Sequence, residues 1–219
     1  MLTRDIPSQS LPFLHLQDKI YLALQLMNEN RVSHLPIIDG EKFAGIISEN
    51  DLLQAENDKS EIVYLQQSFG NVSVKGHEHF LKAIHIAVQN GLSVVPIVEE
   101  TELVGAVAYR DLLKLASEFM SLKEPGGLIV LETESNQYSF NEISKLIETN
   151  DAQITQLNTS TDPDTGITQV TIKINKSEIS DIVAAFHRYE YNVKYYFGEE
   201  LYENELRINY DNLMNYLKL

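Results

Sequence analysis

Two stretches of the chain carry the side chains most able to do chemistry. Gly45 to Leu53 reads GIISENDLL, and Gly105 to Leu113 reads GAVAYRDLL. Both keep a glycine, an aspartate and two leucines at the same spacing. The first sets a hydroxyl, Ser48, three residues before its carboxylate, Asp51. The second has Ala108 in the hydroxyl's place, keeps Asp111 and puts Arg110 beside it. At a helix start, a hydroxyl and a carboxylate at this spacing have two uses. Ser-x-x-Asp is close to a capping box, in which the two side chains satisfy the backbone N–H groups of the helix end. The same pair can also offer a donor and charged acceptors to a polar ligand, and bonds to charged acceptors are the stronger ones. Ala108 can do neither.

Other reactive residues are scattered. His77-Glu78-His79 invites a metal, but histidines two apart share a face only on a strand. These precede a helix and no third ligand is evident, so no metal site is expected. His34 stands just before a strand proline, either as a packed residue or as a neighbour of anything bound at Ser48 and Asp51. No phosphate-binding glycine loop, nucleophile elbow or acid/base carboxylate pair is present, so no enzyme is expected. The chain has no cysteine, which excludes disulfides, thiolate catalysis and cysteine-based zinc sites.

The formal net charge is −15 and the acidity is spread over both halves. Without a basic patch, neither nucleic acid nor an anionic membrane is an expected partner, since both need Lys and Arg against phosphate. The opening MLTRDIPSQS lacks the apolar run of a signal peptide, and no stretch reaches membrane-spanning length. A soluble, cytoplasmic protein is expected.

The elements that must position these residues are themselves repeated. Sliding residues 18–54 over 78–114 without a gap matches Ala23, Asn30, Ser33, Pro36, Ile37, Gly45, Asp51, Leu52 and Leu53 to identical residues. Proline, glycine and aspartate in one register mark an internal duplication. In each copy an amphipathic helix (Ile20, Ala23, Leu24 and Met27 in the first) is followed by two short apolar strands. Asp18 is expected to cap the helix, and Asn30, or Asn90-Gly91, to end it. Asp39-Gly40 is expected to turn the strand pair, and a second helix to begin near Ser48. Strands apolar on both faces need cover on both, and one unit is too small to supply it, so the copies should pack together.

This grammar, with SHLPII and SVVPIV before the glycine strand and then SENDLL or YRDLL, resembles the CBS-domain family. The resemblance covers about residues 3–122, as repeats of about 3–58 and 62–122. It implies a regulatory pair whose cleft holds an adenosine-containing ligand such as AMP, ADP, ATP or S-adenosylmethionine. Ser48 and Asp51 would then touch ribose or phosphate, with Asp111 as the second copy's carboxylate. Leu35 and Ile46 would wall the purine, His34 would be a neighbour, and Arg110 would either grip a phosphate or pair with a surface carboxylate. The bland alternative is a ligand-free platform that holds a partner protein, with Ser48 and Asp51 serving only as a helix cap.

KEPGGLIV, with Pro125-Gly126-Gly127, cannot continue a helix and marks a boundary between Lys123 and Leu128. Beyond it the pattern changes. LIVLET reads as a strand, and Ser139-x-x-Glu142 opens a helix. Two alternating strands flank DPDTG, a helix carries Ile179, Ile182, Val183 and Phe186, and NVKYYF closes as a strand. The order βαββαβ is the ferredoxin-like plan. Following a CBS pair, residues 127–198 resemble an ACT domain, and the whole resembles bacterial acetoin-utilisation-type CBS/ACT regulatory proteins. Such domains often bind amino acids beside the first strand–helix turn. That turn here, TESNQYS, has no glycine to let a ligand approach the backbone. Residues 199–219 are expected to form a terminal helix with Leu206, Tyr210, Leu213 and Leu217 on one stripe. The expected architecture is therefore α/β, with tandem CBS repeats followed by an ACT-like domain. Both parts suit two-fold contacts, so a homodimer is expected. The downstream protein target is not legible.

Overall fold

A computed structural model describes residues 1–6, 11–134 and 138–198, together with Met214. The rest of the expected terminal helix at 199–219 lies outside the described residues. The chain divides into two compact units, Met1–Ser117 and Glu118–Leu219.

In the first unit the duplication is plain. The first copy comprises β1 (Leu14–His15), α1 (Ile20–Asn30), β2 (His34–Asp39), β3 (Lys42–Ser48) and α2 (Glu49–Leu53). The second comprises β4 (Val74–Lys75), α3 (Phe80–Asn90), β5 (Val94–Glu99), β6 (Glu102–Ala108) and α4 (Tyr109–Phe119). The two-residue strands β1 and β4 carry too little pattern to be read from sequence, and each pairs in parallel with the strand after its helix. All six strands form one sheet, ordered β1-β2-β3-β6-β5-β4. The two hairpins meet at a single pair, Lys42 opposite Glu102.

Beyond that pair β3 is covered by Gly70. Its N–H donates to the Ile46 carbonyl at 2.8 Å, and its own carbonyl accepts from Ile46 N–H at 2.9 Å. Gly45, at φ +146°, lies so close to this segment that a Cβ would sit 2.9 Å from Phe69 Cβ. Its twin Gly105 has no such neighbour; the nearest atom to a Cβ there is Ile97 Cδ1 at 3.9 Å.

The helices pack their apolar stripes on these strands. One core joins Ile20, Met27, Leu35, Ile47 and Leu52 of the first copy to Val94 and Ala106 of the second. The other joins Phe80, Val95, Ile97, Val107 and Leu112. The copies therefore share a core, as doubly apolar strands require. Two helix ends differ from expectation. Asp18 does not cap α1. It accepts the His15 N–H at 2.8 Å, while Lys19 holds the N-cap position without a side-chain bond. The left-handed residue after α1 is Arg31 (φ 54°), not Asn30, whose amide donates back to the Leu26 carbonyl at 2.8 Å. In the second copy Gly91 takes the left-handed position, at φ 63°.

The second unit runs β7 (Leu128–Glu134), α5 (Phe140–Glu148), β8 (Ile154–Thr161), β9 (Ile167–Ile174), α6 (Ser180–Arg188) and β10 (Asn192–Phe197). Its sheet is ordered β10-β7-β9-β8 and every pairing is antiparallel. This is the expected βαββαβ plan. Ile129, Leu131, Val170, Ile172 and Ile174 face Ile143, Ile147, Ile182 and Phe186 of the two helices. Ser139 caps α5 by accepting Glu142 N–H at 3.3 Å. The Glu142 carboxylate turns instead to the Tyr191 hydroxyl, which donates to it at 2.6 Å. Partial burial, and then that bond, push the Tyr191 phenol up to about 12.

Candidate ligand site at the joint between the repeats

The β2–β3 hairpin sets His34 directly opposite Ser48. Ser48, the last residue of β3, is also the N-cap of α2, so strand end and helix start coincide. The capping box is complete: Ser48 Oγ accepts Asp51 N–H at 3.1 Å, and Asp51 Oδ2 accepts Ser48 N–H at 3.3 Å. The Ser48 hydroxyl also donates to Oδ2, with the two oxygens 2.5 Å apart. The capping reading of Ser48 and Asp51 is met here. The cap occupies Oδ2, whereas Asp51 Oδ1 accepts no hydrogen bond from the described residues.

His34 ties this cluster to the second copy. Its Nδ1 accepts the Ser93 backbone N–H at 3.3 Å and lies 3.2 Å from both the Ser33 and Ser93 hydroxyls. Ser33 N–H in turn donates to Ser93 Oγ at 2.9 Å. An accepting Nδ1 puts the ring proton on Nε2. Burial lowers the His34 pKa, and the nearby Asp51 carboxylate partly opposes that shift. Ser33 and Ser93 are twins in the duplication, but the twin of His34 is Val94, so the joint is asymmetric.

Arg110 reaches across from the second copy to the end of α1. Its guanidinium donates to the Asn30 carbonyl at 3.2 Å. A cation there meets the negative end of the α1 dipole and one of its unpaired carbonyls. The second copy's own carboxylate is engaged locally: Asp111 Oδ1 accepts from Lys114 Nζ at 3.1 Å. The twin of Lys114 is Gln54, so no equivalent cation sits beside Asp51.

Of the two expected purine walls, Leu35 is fully enclosed in the first core and offers no surface to a ligand. It is closed off because β2 is covered on both faces. Ile46 lies under the Phe69–Gly70 segment and is 4% exposed. The structure thus gathers His34, Ser48 and Asp51 at one joint with Ser33 and Ser93, and brings Arg110 to the end of α1. Sequence reading passed over Ser93, although its match to Ser33 was visible. The histidines of the HEH stretch separate: His77 lies 4.0 Å from Glu99 and His79 caps α3. No three potential metal ligands cluster among the described residues. No helix among them is long and apolar enough to cross a membrane.

Comparison with known proteins places both copies. Residues 4–58 and 70–118 match the model of the CBS domain. A curated relative, inosine-5'-monophosphate dehydrogenase from Methanocaldococcus jannaschii, is 27% identical over 133 residues, which is 60% of this chain and 27% of that enzyme. The chain therefore spans about a quarter of that relative. Among solved structures, a CBS domain pair/ACT domain protein from Thermotoga maritima is 20% identical with a TM-score of 0.48. The match covers 54% of this chain and 98% of that one. The protein CBSX2, solved in complex with AMP, is 20% identical with a TM-score of 0.46 over the same shares.

Proposed function

Starting from the pair of CBS domains that the first unit carries, we propose that this chain is a non-enzymatic regulatory module binding one adenosine-containing ligand at the first copy. The ligand class is AMP, ADP, ATP or S-adenosylmethionine. The observation that carries this reading is the contrast between two twin carboxylates. Asp51 keeps Oδ1 open beside Ser48 and His34, whereas Asp111 is paired with Lys114 and its copy has Ala108 in the hydroxyl's place. A ribose cis-diol supplies two donors, and an ionised carboxylate oxygen with open lone pairs is a strong acceptor for them. His34, with its proton on Nε2, offers a further donor at the same joint. Arg110, already at the end of α1, is a cation from the second copy that could serve a phosphate. In this reading the ACT-like unit relays the signal or adds a second input.

The rival reading, a ligand-free platform holding a partner protein, draws support from the completed capping box, which accounts for Ser48 and Asp51 without a ligand. A thermal-shift screen separates them. A ligand that binds only the folded state stabilises it by about 2.7 kcal/mol at a hundredfold excess over its Kd. AMP, ADP, ATP or S-adenosylmethionine should raise the midpoint, and the amino acids test the ACT-like unit. Silence across all four nucleosides favours the platform.

The working assembly is proposed to be a homodimer. Val88, Tyr109 and Leu113 are exposed around an apolar groove between α3 and α4, of about 150 Å³ and lined also by Ile84, Leu112 and Ala116. The first copy has Asn28 and Glu49 in place of Val88 and Tyr109. In a chain of net charge −15, this uncharged face is where a second copy meets least repulsion. Light scattering returning the 24.9 kDa monomer mass at micromolar concentration would refute it.

A further inference from the structure

Ser33 and Ser93 are twins in the duplication, and the backbone around them repeats. The Ser33 carbonyl accepts Glu49 N–H at 2.8 Å and the Ser93 carbonyl accepts Tyr109 N–H at 2.9 Å, each from the first residue of its copy's second helix. A joint that kept this symmetry would have each serine N–H donate to the other's hydroxyl. Half of that exchange is made: Ser33 N–H donates to Ser93 Oγ at 2.9 Å. The other half is not. Ser93 N–H donates instead to His34 Nδ1 at 3.3 Å, and Ser33 Oγ lies 3.2 Å from the same nitrogen. One ring nitrogen therefore stands between a backbone donor and the hydroxyl that symmetry would give it. It can do so only while it carries a lone pair.

We propose that His34 is a proton-operated latch between the two copies. Neutral, it holds the asymmetric joint; protonated on Nδ1 by solvent, it releases Ser93 N–H to Ser33 Oγ, and the joint becomes symmetric. Three observations carry this. First, Ser93 is half-buried, so its N–H cannot be left facing a second donor without another acceptor. Second, that acceptor is in place, since Ser33 Oγ already touches Nδ1 and turns about a single side-chain bond. Third, the second copy has no rival ring, because the twin of His34 is Val94, enclosed in the first core. A contact with two arrangements, biased by a group that titrates near neutrality, is what a pH switch requires. The charges around the ring set its direction. Asp51 of α2 favours the protonated ring, but burial opposes it more strongly and holds the pKa below 6.5. Of the other charged side chains on the surrounding elements, Glu29 of α1 is bonded to Gln25 at 2.8 Å, Arg110 of α4 is bonded to the Asn30 carbonyl, and Glu49 lies on α2. Ser48, opposite His34 on β3, and Val94 on β5 carry no charge.

The test needs no ligand, so its outcome is independent of the reading of the joint as an adenosine site. Nuclear magnetic resonance of the labelled full chain follows the His34 ring nitrogens and the Ser93 amide as pH is lowered from 7.5. At pH 7.5 the ring should carry its proton on Nε2. The ring and the Ser93 amide should then titrate together, with one midpoint below 6.5. A proton on Nδ1 at pH 7.5, or a Ser93 amide that stays still while the ring titrates, overturns the proposal. Hydrogen exchange in Ser33→Ala separates a latch from a merely structural contact. The latch predicts that Ser93 stays protected in the wild type on both sides of the midpoint. In Ser33→Ala it should stay protected at pH 7.5, through His34, and lose protection severalfold relative to its β5 neighbours one pH unit below the midpoint. Equal protection in the two proteins at the lower pH, or loss at both, contradicts the exchange of partners. If Ser33→Ala fails to fold, the wild-type tautomer and the shared midpoint decide alone.

Discussion

His34 Nδ1 accepts the backbone N–H of Ser93 at 3.3 Å, across the joint between the two copies. One imidazole from the first repeat thus closes a contact that the duplication, left symmetric, would have made with two serines. Protonating Nδ1 would turn this acceptor into a donor facing another donor, so the joint is built for the neutral ring.

That requirement sets a pH dependence. Burial holds the folded His34 pKa below the ordinary value of 6.5, with Asp51 opposing in part. Over the interval between the two values the unfolded chain binds a proton that the folded chain refuses. Stability is therefore intact above about pH 7 and falls as pH drops through 6.5 toward the folded pKa. Denaturant midpoints of the wild type and of His34→Asn at pH 7.5 and 5.5 check this. The wild type should lose more over that interval; parallel losses would show that His34 does not titrate differentially.

Ser48→Ala removes the acceptor for Asp51 N–H and leaves Asp51 Oδ2 without its hydroxyl partner. Loss of an N-cap costs about 1 kcal/mol. The second copy already lives with Ala108 at this place, so the fold should survive. Urea unfolding should show a lower midpoint with an unchanged slope.

The glycine twins should behave oppositely. Gly45→Ala places a Cβ 2.9 Å from Phe69 Cβ at a positive φ. A destabilisation of roughly 1–3 kcal/mol is expected. Gly105→Ala meets nothing closer than 3.9 Å. It should be neutral, or slightly stabilising through loss of unfolded-state freedom. Equal effects at both would mean that the Phe69–Gly70 segment does not cover β3 in solution.

The duplication, the hairpins, the Ser48 cap and the βαββαβ order were legible because each rests on local pattern: periodicity, turn residues and cap spacing. What was not legible depends on partners distant in sequence. Asp18 had the right type for a cap, but the His15 N–H was nearer to its carboxylate than α1 was. Arg110 gave no sign that its target would be the carbonyl of Asn30, eighty residues away. Leu35 read as a wall for a ligand because its strand is apolar, yet that apolarity serves the core on both faces. The Asp111–Lys114 pair was local and could have been found from its i, i+3 spacing.

The central claim is one ligand per chain, held by the first copy. Calorimetric titration with whichever of AMP, ADP, ATP or S-adenosylmethionine stabilises the protein tests it most directly. The wild type and Asp111→Asn should each bind about one equivalent, while Asp51→Asn, once its circular dichroism is shown to match the wild type, should bind none. Two equivalent sites in the wild type, or equal loss from both variants, would contradict the assignment of the site to Asp51.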